Sequence, residues 1–215
     1  MIAIIDYGMG NLRSVQKAFE KVGAEAVITQ DSGDINRADR VVLPGVGAMQ
    51  PAMQKLKELH LIDPIKKAIT DGKPFLGICL GLQLLFEKGF EGGEVDGLGI
   101  FPGTVERFAS LKVPHMGWNQ IKIKNSNSPL FAGISNMSHF YFCHSYFVKP
   151  LDAKMVATTT DYGIEFSSSV VKDNVFGVQF HPEKSQTLGL EFLKNFAQLK
   201  AQSKGVSRYD DYSRN

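Results

Sequence analysis

Short apolar runs alternate with stretches of helical periodicity through the first part of the chain. Ile2-Ala3-Ile4-Ile5 is followed by Asp6-Tyr7-Gly8-Met9-Gly10-Asn11, the pattern of a buried strand ending in a turn. Leu12, Val15, Ala18, Phe19 and Val22 then recur at helical spacing, and Gly23 supplies the stop. Ala26-Val27-Ile28 and Arg40-Val41-Val42-Leu43 give a second and a third strand, the latter leading into Pro44-Gly45-Val46-Gly47. A helical pattern runs from about Ala48 to Thr70, broken or bent near His60-Leu61, with Pro64 suited to a helix start. Pro74-Phe75-Leu76 reads as a short buried strand, and Leu82 to Glu87 as the start of a helix. Strands alternating with helices predict a parallel sheet covered on both faces, whose working residues gather at the carboxyl ends of the strands. The turn from Asp6 to Asn11, the loop from Pro44 to Gly47, and Cys79 are therefore expected on one rim.

From about Glu91 the texture changes. Gly92, Gly93, Gly97, Gly99 and Gly103 interrupt the chain, and helical periodicity vanishes until the end. Thr104 to Phe108, Gln120 to Lys124, Phe140 to Val148 and Ile164 to Val171 read as half-exposed strands. Lys172-Asp173-Asn174 is a hairpin turn before Val175 to Phe180. These strands extend the first sheet as a mixed one, since no linker or repeat marks a boundary. Leu188, Phe192, Leu193, Phe196 and Leu199 form a closing amphipathic helix, and the polar stretch 203–215 is expected to be a loose tail.

Composition narrows the class. The 215 residues suit one α/β domain, and 24 basic against 22 acidic residues give no electrostatic reason to expect nucleic acid or a membrane surface. The first residues lack a basic n-region, and the longest nearly apolar stretch, Pro74 to Phe86, is too short to span a bilayer. Two cysteines without zinc-like spacing predict a reducing cytoplasm, no metal and no disulfide framework. Gly8-x-Gly10 lacks the third glycine of a dinucleotide fingerprint, Arg13 standing there, and no cofactor is expected.

Candidate chemistry centres on Gly77-Ile78-Cys79-Leu80-Gly81. A cysteine between a strand and a helix, with a glycine two residues to each side, matches the logic of a nucleophile elbow. It is equally the pattern of an inert cysteine in a tight turn. A reactive thiol needs a base, and the base an orienting group. His60 belongs to a polar helix and reads as a surface residue, while His139 and His144 lie in an aromatic strand pattern and read as packing or hydrogen-bonding groups. His181 directly follows a strong strand and opens His181-Pro182-Glu183, which lets a carboxylate turn toward the same rim. Alone, that triplet also fits a surface loop.

Together, the elbow, the Pro44–Gly47 loop and Gly177-Val178-Gln179-Phe180-His181-Pro182-Glu183 resemble the class I (triad-type) glutamine amidotransferases, from Met1 to about Ala201. The blocks Asp6 to Leu12, Leu43 to Gly47, Pro114-His115-Met116-Gly117-Trp118-Asn119 and Tyr141 to Tyr146 narrow the resemblance to members that serve histidine biosynthesis. The resemblance implies a single-domain three-layer α/β fold over 1–202, its parallel core extended by mixed and antiparallel strands. It implies hydrolysis of L-glutamine to glutamate and ammonia, with Cys79 as nucleophile, His181 as acid and base and Glu183 as orienter. Val46, Gly47 and Leu80 would form the oxyanion hole, its loop set by a peptide flip near Val46; Gly47, Gln83, Ser145 and Tyr146 would hold the substrate. The implied partner is a (β/α)8-barrel cyclase that receives the ammonia, faced or gated by Asn11, Trp118, Tyr141 and Lys184. Trp118 could equally be a half-buried strand residue. Cys143 departs from the small apolar residue expected in its block. The same motifs fit a glutaminase serving another acceptor, such as a sugar-aminating synthase. An elbow-cysteine peptidase or aldehyde-handling enzyme is a more distant alternative, against which His181-x-Glu183 and Gln83 speak, as is a non-catalytic subunit.

Overall fold

The computed structural model describes residues 1–109 and 112–201. The tail expected over 203–215, and residue 202 at the expected domain end, lie outside them. The first half comprises β1 (Ile2–Ile5), α1 (Leu12–Lys21), β2 (Ala26–Thr29), α2 (Ser32–Arg37), β3 (Arg40–Gly45), α3 (Met49–Glu58), α4 (Ile62–Thr70), β4 (Phe75–Cys79) and α5 (Leu80–Leu84). Then follow β5 (Phe86–Gly89), β6 (Val95–Asp96), β7 (Phe101–Arg107), β8 (His115–Gln120), β9 (Lys122–Ile123), β10 (His139–His144) and β11 (Tyr146–Pro150). The chain closes with β12 (Val156–Asp161), β13 (Glu165–Lys172), β14 (Val175–Val178) and α6 (Gln186–Gln198).

The main sheet runs β2-β1-β3-β4-β14-β13-β11-β7-β5-β6, with β12 beside β13, and β9 beside β12. Pairing is parallel from β2 through β14 and mostly antiparallel beyond. The expected parallel core with a mixed extension is therefore present. Alternation along β1 sorts the layers: Ala3 and Ile5 face one core, with Ile35, Leu56 and Ile65 of α2, α3 and α4. Ile2 and Ile4 face the other, with Phe19 of α1 and Phe192 and Phe196 of α6. No helix among the described residues is long and apolar enough to cross a membrane.

Several expected elements differ. The helix read from Leu82 to Glu87 spans only Leu80–Leu84, and Phe86 already belongs to β5. Every residue of α5 is buried, so its sequence is apolar on all sides and periodicity cannot set its end. Phe140 to Val148 is two strands in two sheets, separated at Ser145; Gln120 to Lys124 likewise divides at Ile121. The helix α2 and the strand β12 had no sufficient pattern to announce them. The turn at Lys172-Asp173-Asn174 does join the antiparallel β13 and β14, with Asp173 at φ 53°.

At the end of β4 the backbone of Cys79 takes φ 56° and ψ −109°, a region strained for a residue with a side chain. The flanking glycines are there for space. A Cβ on Gly77 would meet the Gly81 carbonyl oxygen at 2.6 Å, and one on Gly81 would collide with the Leu43 carbonyl. The turn thus presses against β3, and the strain falls on the cysteine.

The small sheet β8–β10 is tied to the large one by two buried histidines. His144 Nδ1 lies 2.8 Å from the Tyr146 carbonyl, and His144 Nε2 lies 2.9 Å from His115 Nδ1. A carbonyl only accepts, so His144 carries its proton on Nδ1, and His115 must donate to His144 Nε2. His115 Nε2 then accepts from Asn119 Nδ2, 3.2 Å away. Both rings are neutral: burial pushes His115 down to about 4 and His144 to about 3.

Two outcomes follow from these features. Cys79→Gly, which relieves the strained φ, is expected to be more stable than Cys79→Ala by about 1 kcal/mol, roughly 3 °C in Tm, measured by thermal unfolding. The depressed histidines contribute stability that is present above pH 6.5 and lost as pH falls through about 4 and 3, because the unfolded chain binds the protons first. His144→Asn keeps a donor for Tyr146 but gains no proton, so its Tm should fall less steeply than that of the unmodified chain between pH 6.5 and 4.

Candidate active site

The register of three adjacent parallel strands assembles the site. Gly45 in β3 stands beside Cys79 in β4, and Ile78 stands beside Val178 in β14. The loop after β3 and the segment after β14 therefore flank the sulfur. The turn after β1 shares this rim: a Cβ on Gly10 would lie 3.6 Å from Gly45 Cα, and one on Gly45 would run into the Tyr7 hydroxyl. Tyr7 is fully buried, its hydroxyl has no hydrogen-bond partner among the described residues, and burial together with the charge of Cys79 raises its pKa.

One pocket of about 220 Å³ is lined by Val46, Gly47, Cys79, Leu80, Gln83, Ser145, Tyr146, His181 and Lys184 among others. Its size is below the range usual for drug-sized ligands, as a single amino acid requires. Of the residues given a site role from sequence, Glu183, Asn11, Trp118 and Tyr141 are not in its wall. Glu183 stands behind His181: its Oε1 accepts from His181 Nδ1 at 2.8 Å, with both side chains buried. The carboxylate fixes the tautomer, placing a proton on Nδ1. Its other oxygen, Oε2, is buried without a hydrogen-bond partner among the described residues. Burial pushes His181 down, but hydrogen bonds to Cys79 and Glu183 and their charges prevail, lifting it to about 10. An imidazolium held between a sulfur and a carboxylate is thereby favoured.

Gln83 is anchored from two sides. Its Nε2 donates to the Tyr146 carbonyl at 3.1 Å and to Gln179 Oε1 at 3.0 Å. The Tyr146 carbonyl also accepts from His144, so both its lone pairs are taken and it holds Gln83 in place. The Ser145 carbonyl accepts from the Phe108 N–H at 3.2 Å. Gly47 has φ 95°, a conformation open to glycine, and Val46 beside it is exposed.

Away from the pocket, Trp118 is 47 % exposed and stands edge-on to Tyr141, its partner across β8 and β10, with ring centroids 6.2 Å apart. Lys184 Nζ lies 5.7 Å from the Tyr141 ring centroid, and the Tyr141 carbonyl accepts from the His181 N–H at 2.8 Å. Tyr141 thus joins the histidine loop to an exposed aromatic face. Asn11 is an exposed residue at the start of α1. Cys143 is a free cysteine whose carbonyl faces the Cys79 sulfur at 3.8 Å.

Of the remaining histidines, His60 is exposed in the break between α3 and α4. His139 is a correction: it is exposed at the start of β10 rather than packed, because the alternation of the strand buries Phe140, Phe142 and His144 and leaves His139 on the other side. Gln179 was missed as a site residue, and His115 as the buried partner of His144. Gln179 is wholly buried and polar, and its place immediately before Phe180-His181 was the available signal.

The family model for glutamine amidotransferase class-I matches residues 3–199. The chain is 54% identical to the imidazole glycerol phosphate synthase subunit HisH of Rhodopirellula baltica over 200 residues, covering 92% of this chain and 97% of that one. It is 53% identical to the HisH subunit of Syntrophotalea carbinolica, covering 93% and 100%. Among solved structures, a crystal structure of a glutamine amidotransferase aligns at TM-score 0.73 and 18% identity, covering 93% of this chain and 100% of that one. PurLQS from Thermotoga maritima aligns at 0.71 and 20%, covering 92% and 95%; these two likenesses concern the fold alone. With the family model spanning nearly the whole chain and relatives above half identity, the chain belongs to the class I glutamine amidotransferases.

Proposed function

We propose that this chain is the glutaminase subunit of an imidazole glycerol phosphate synthase, hydrolysing L-glutamine and passing the ammonia to a (β/α)8-barrel cyclase for histidine biosynthesis. The observation that carries the chemistry is Cys79 and His181 in the wall of one pocket of amino-acid size, with Glu183 hydrogen-bonded behind the imidazole. The relatives named above carry the choice of synthase.

Cys79 Sγ attacks the side-chain amide carbon of glutamine, and the carbonyl oxygen becomes an oxyanion. Leu80 N–H at the elbow, with a second donor from the Val46-Gly47 segment, receives that charge. Glycines beside Val46 leave the loop able to turn a peptide, so the second donor is set when the partner docks. His181, protonated at rest, gives a proton to the departing ammonia. The γ-glutamyl thioester then remains, and His181, now neutral, activates the water that releases glutamate. Glu183 holds the ring and stabilises its positive form. Both hydrogens of Gln83 Nε2 are engaged, which leaves Oε1 to accept from the substrate's α-ammonium.

Trp118, Tyr141, Lys184 and Asn11 are assigned to the cyclase-facing side. An exposed tryptophan braced by a tyrosine is the kind of side chain that anchors an interface.

Two measurements test this reading. With a histidine-pathway cyclase from the same source, the chain should support glutamine-dependent cyclisation. Cys79→Ala should abolish that activity, by 10³-fold or about 4 kcal/mol or more, while ammonium salts still sustain the cyclase. Failure of the unmodified pair to use glutamine overturns the assignment. Trp118→Ala should weaken the complex by about 2 kcal/mol, read as a roughly thirtyfold higher Kd by titration calorimetry; an unchanged Kd removes Trp118 from the interface.

A further inference from the structure

Gln179 follows the last residue of β14, has no measurable exposure, and gives its backbone N–H to the Ser168 carbonyl at 2.9 Å. A primary amide in such a place is costly unless its groups are paired. Its Oε1 accepts from Gln83 Nε2 at 3.0 Å, and its Nε2 donates to Cys79 Sγ at 3.6 Å.

The orientation of both amides is fixed from outside. The Tyr146 main-chain carbonyl can only accept, so the Gln83 atom facing it is nitrogen. That same nitrogen faces Gln179, which must answer with oxygen. The nitrogen of Gln179 is therefore the atom left against the sulfur. A carbonyl on β11 thus determines that Cys79 meets an N–H donor and not a lone pair.

We propose that Gln179 is a positioning residue for the nucleophile, holding the Cys79 sulfur and favouring its anionic form through the Nε2 hydrogen bond. The proposal rests on the reading of Cys79 as the nucleophile and adds a donor that the Cys79-His181-Glu183 triad does not contain. A hydrogen bond to the charged form of a group favours that form, and here it acts where water is excluded. The ionisable groups around the sulfur are His181 with Glu183 behind it, Tyr7, and, around the pocket, His144, Glu91 and Lys184. Among the described residues, Gln179 gives the sulfur a side-chain hydrogen bond, and His181 shares the pocket wall with it. Because Gln83 lines the pocket and holds the Gln179 amide, substrate occupancy and sulfur placement share one linkage.

The test is the pH dependence of Cys79 alkylation by iodoacetamide in the full chain, read as the adduct on the Cys79 peptide by mass spectrometry. Gln179→Met removes the donor without adding charge. Its rate profile should move up by about one pH unit, so that it reacts about tenfold more slowly on the acid limb of the profile. Gln179→Glu keeps an acceptor for Gln83 but offers the sulfur no neutral amide donor, and should move further. In the complex with the cyclase, kcat should fall by a larger factor than KM for glutamine rises. A Gln179→Met chain that unfolds cooperatively yet keeps the unmodified alkylation profile overturns the proposal. Should neither variant fold, the unmodified protein decides. The Gln179 side-chain amide resonance should shift across the Cys79 titration and not in Cys79→Ala, and a resonance that ignores the sulfur overturns it. Alkylation needs no glutamine turnover, so an unmodified chain that alkylates normally but never hydrolyses glutamine contradicts the glutaminase reading and leaves this one standing.

Discussion

The structure depends on how closely β4 and its turn are clamped. Gly81 leaves room for the Leu43 carbonyl and Gly77 for the Gly81 carbonyl, so the chain reverses within a few residues and Cys79 takes the strained φ of 56°. Such strain costs on the order of 1–3 kcal/mol, a sizeable part of a folding free energy of roughly 5–15 kcal/mol. It persists because β4 lies between β3 and β14 in a sheet covered on both faces. The same clamping sets the chemistry: Gly45 lies beside Cys79 on one side, and β14 on the other delivers Gln179 and His181. A one-residue slip of either neighbour would turn these groups to the other face.

From the sulfur a hydrogen-bonded polar path crosses the interior. Gln179 contacts Cys79, Gln83 contacts Gln179, the Tyr146 carbonyl contacts Gln83, and His144, His115 and Asn119 continue to the Asp161 carbonyl. The protons of Gln83, His144 and Asn119 are fixed by main-chain carbonyls that cannot donate, and those of Gln179 and His115 follow from them. Buried polar groups satisfied in this way are rigid and specify one arrangement. The path joins the large sheet to β8 and β10, whose outer side carries Trp118 and Tyr141. The pocket and the exposed aromatic face are therefore parts of one packed unit.

Much of this was legible in the chain because the informative residues are local. Gly77, Cys79 and Gly81 mark a tight turn within five residues, and the apolar runs around Ile4, Val42 and Leu76 show the parallel strands; that Val175–Val178 joins them, parallel to β4, was not read from the sequence. His181 and Glu183 lie two residues apart, a spacing that alone also fits a surface loop, so their pairing was legible only together with the other motifs. The end of α5 was not legible, since its fully buried sequence suits helix and strand alike. The break at Ser145 was not either, because it is made by two sheets claiming adjacent segments. Gln179 and His115 act through contacts 100 and 29 residues away in sequence, set by strand pairing that no local pattern records.

The central claim, that Cys79 is a nucleophile aimed at glutamine, is tested most directly by an alkylating analogue of glutamine and mass mapping of its adduct. Incubated with the analogue in the presence of the cyclase, the chain should carry a single adduct on Cys79, with excess L-glutamine protecting against it. An adduct on Cys79 that L-glutamine does not slow, or labelling confined to Cys143, would contradict it.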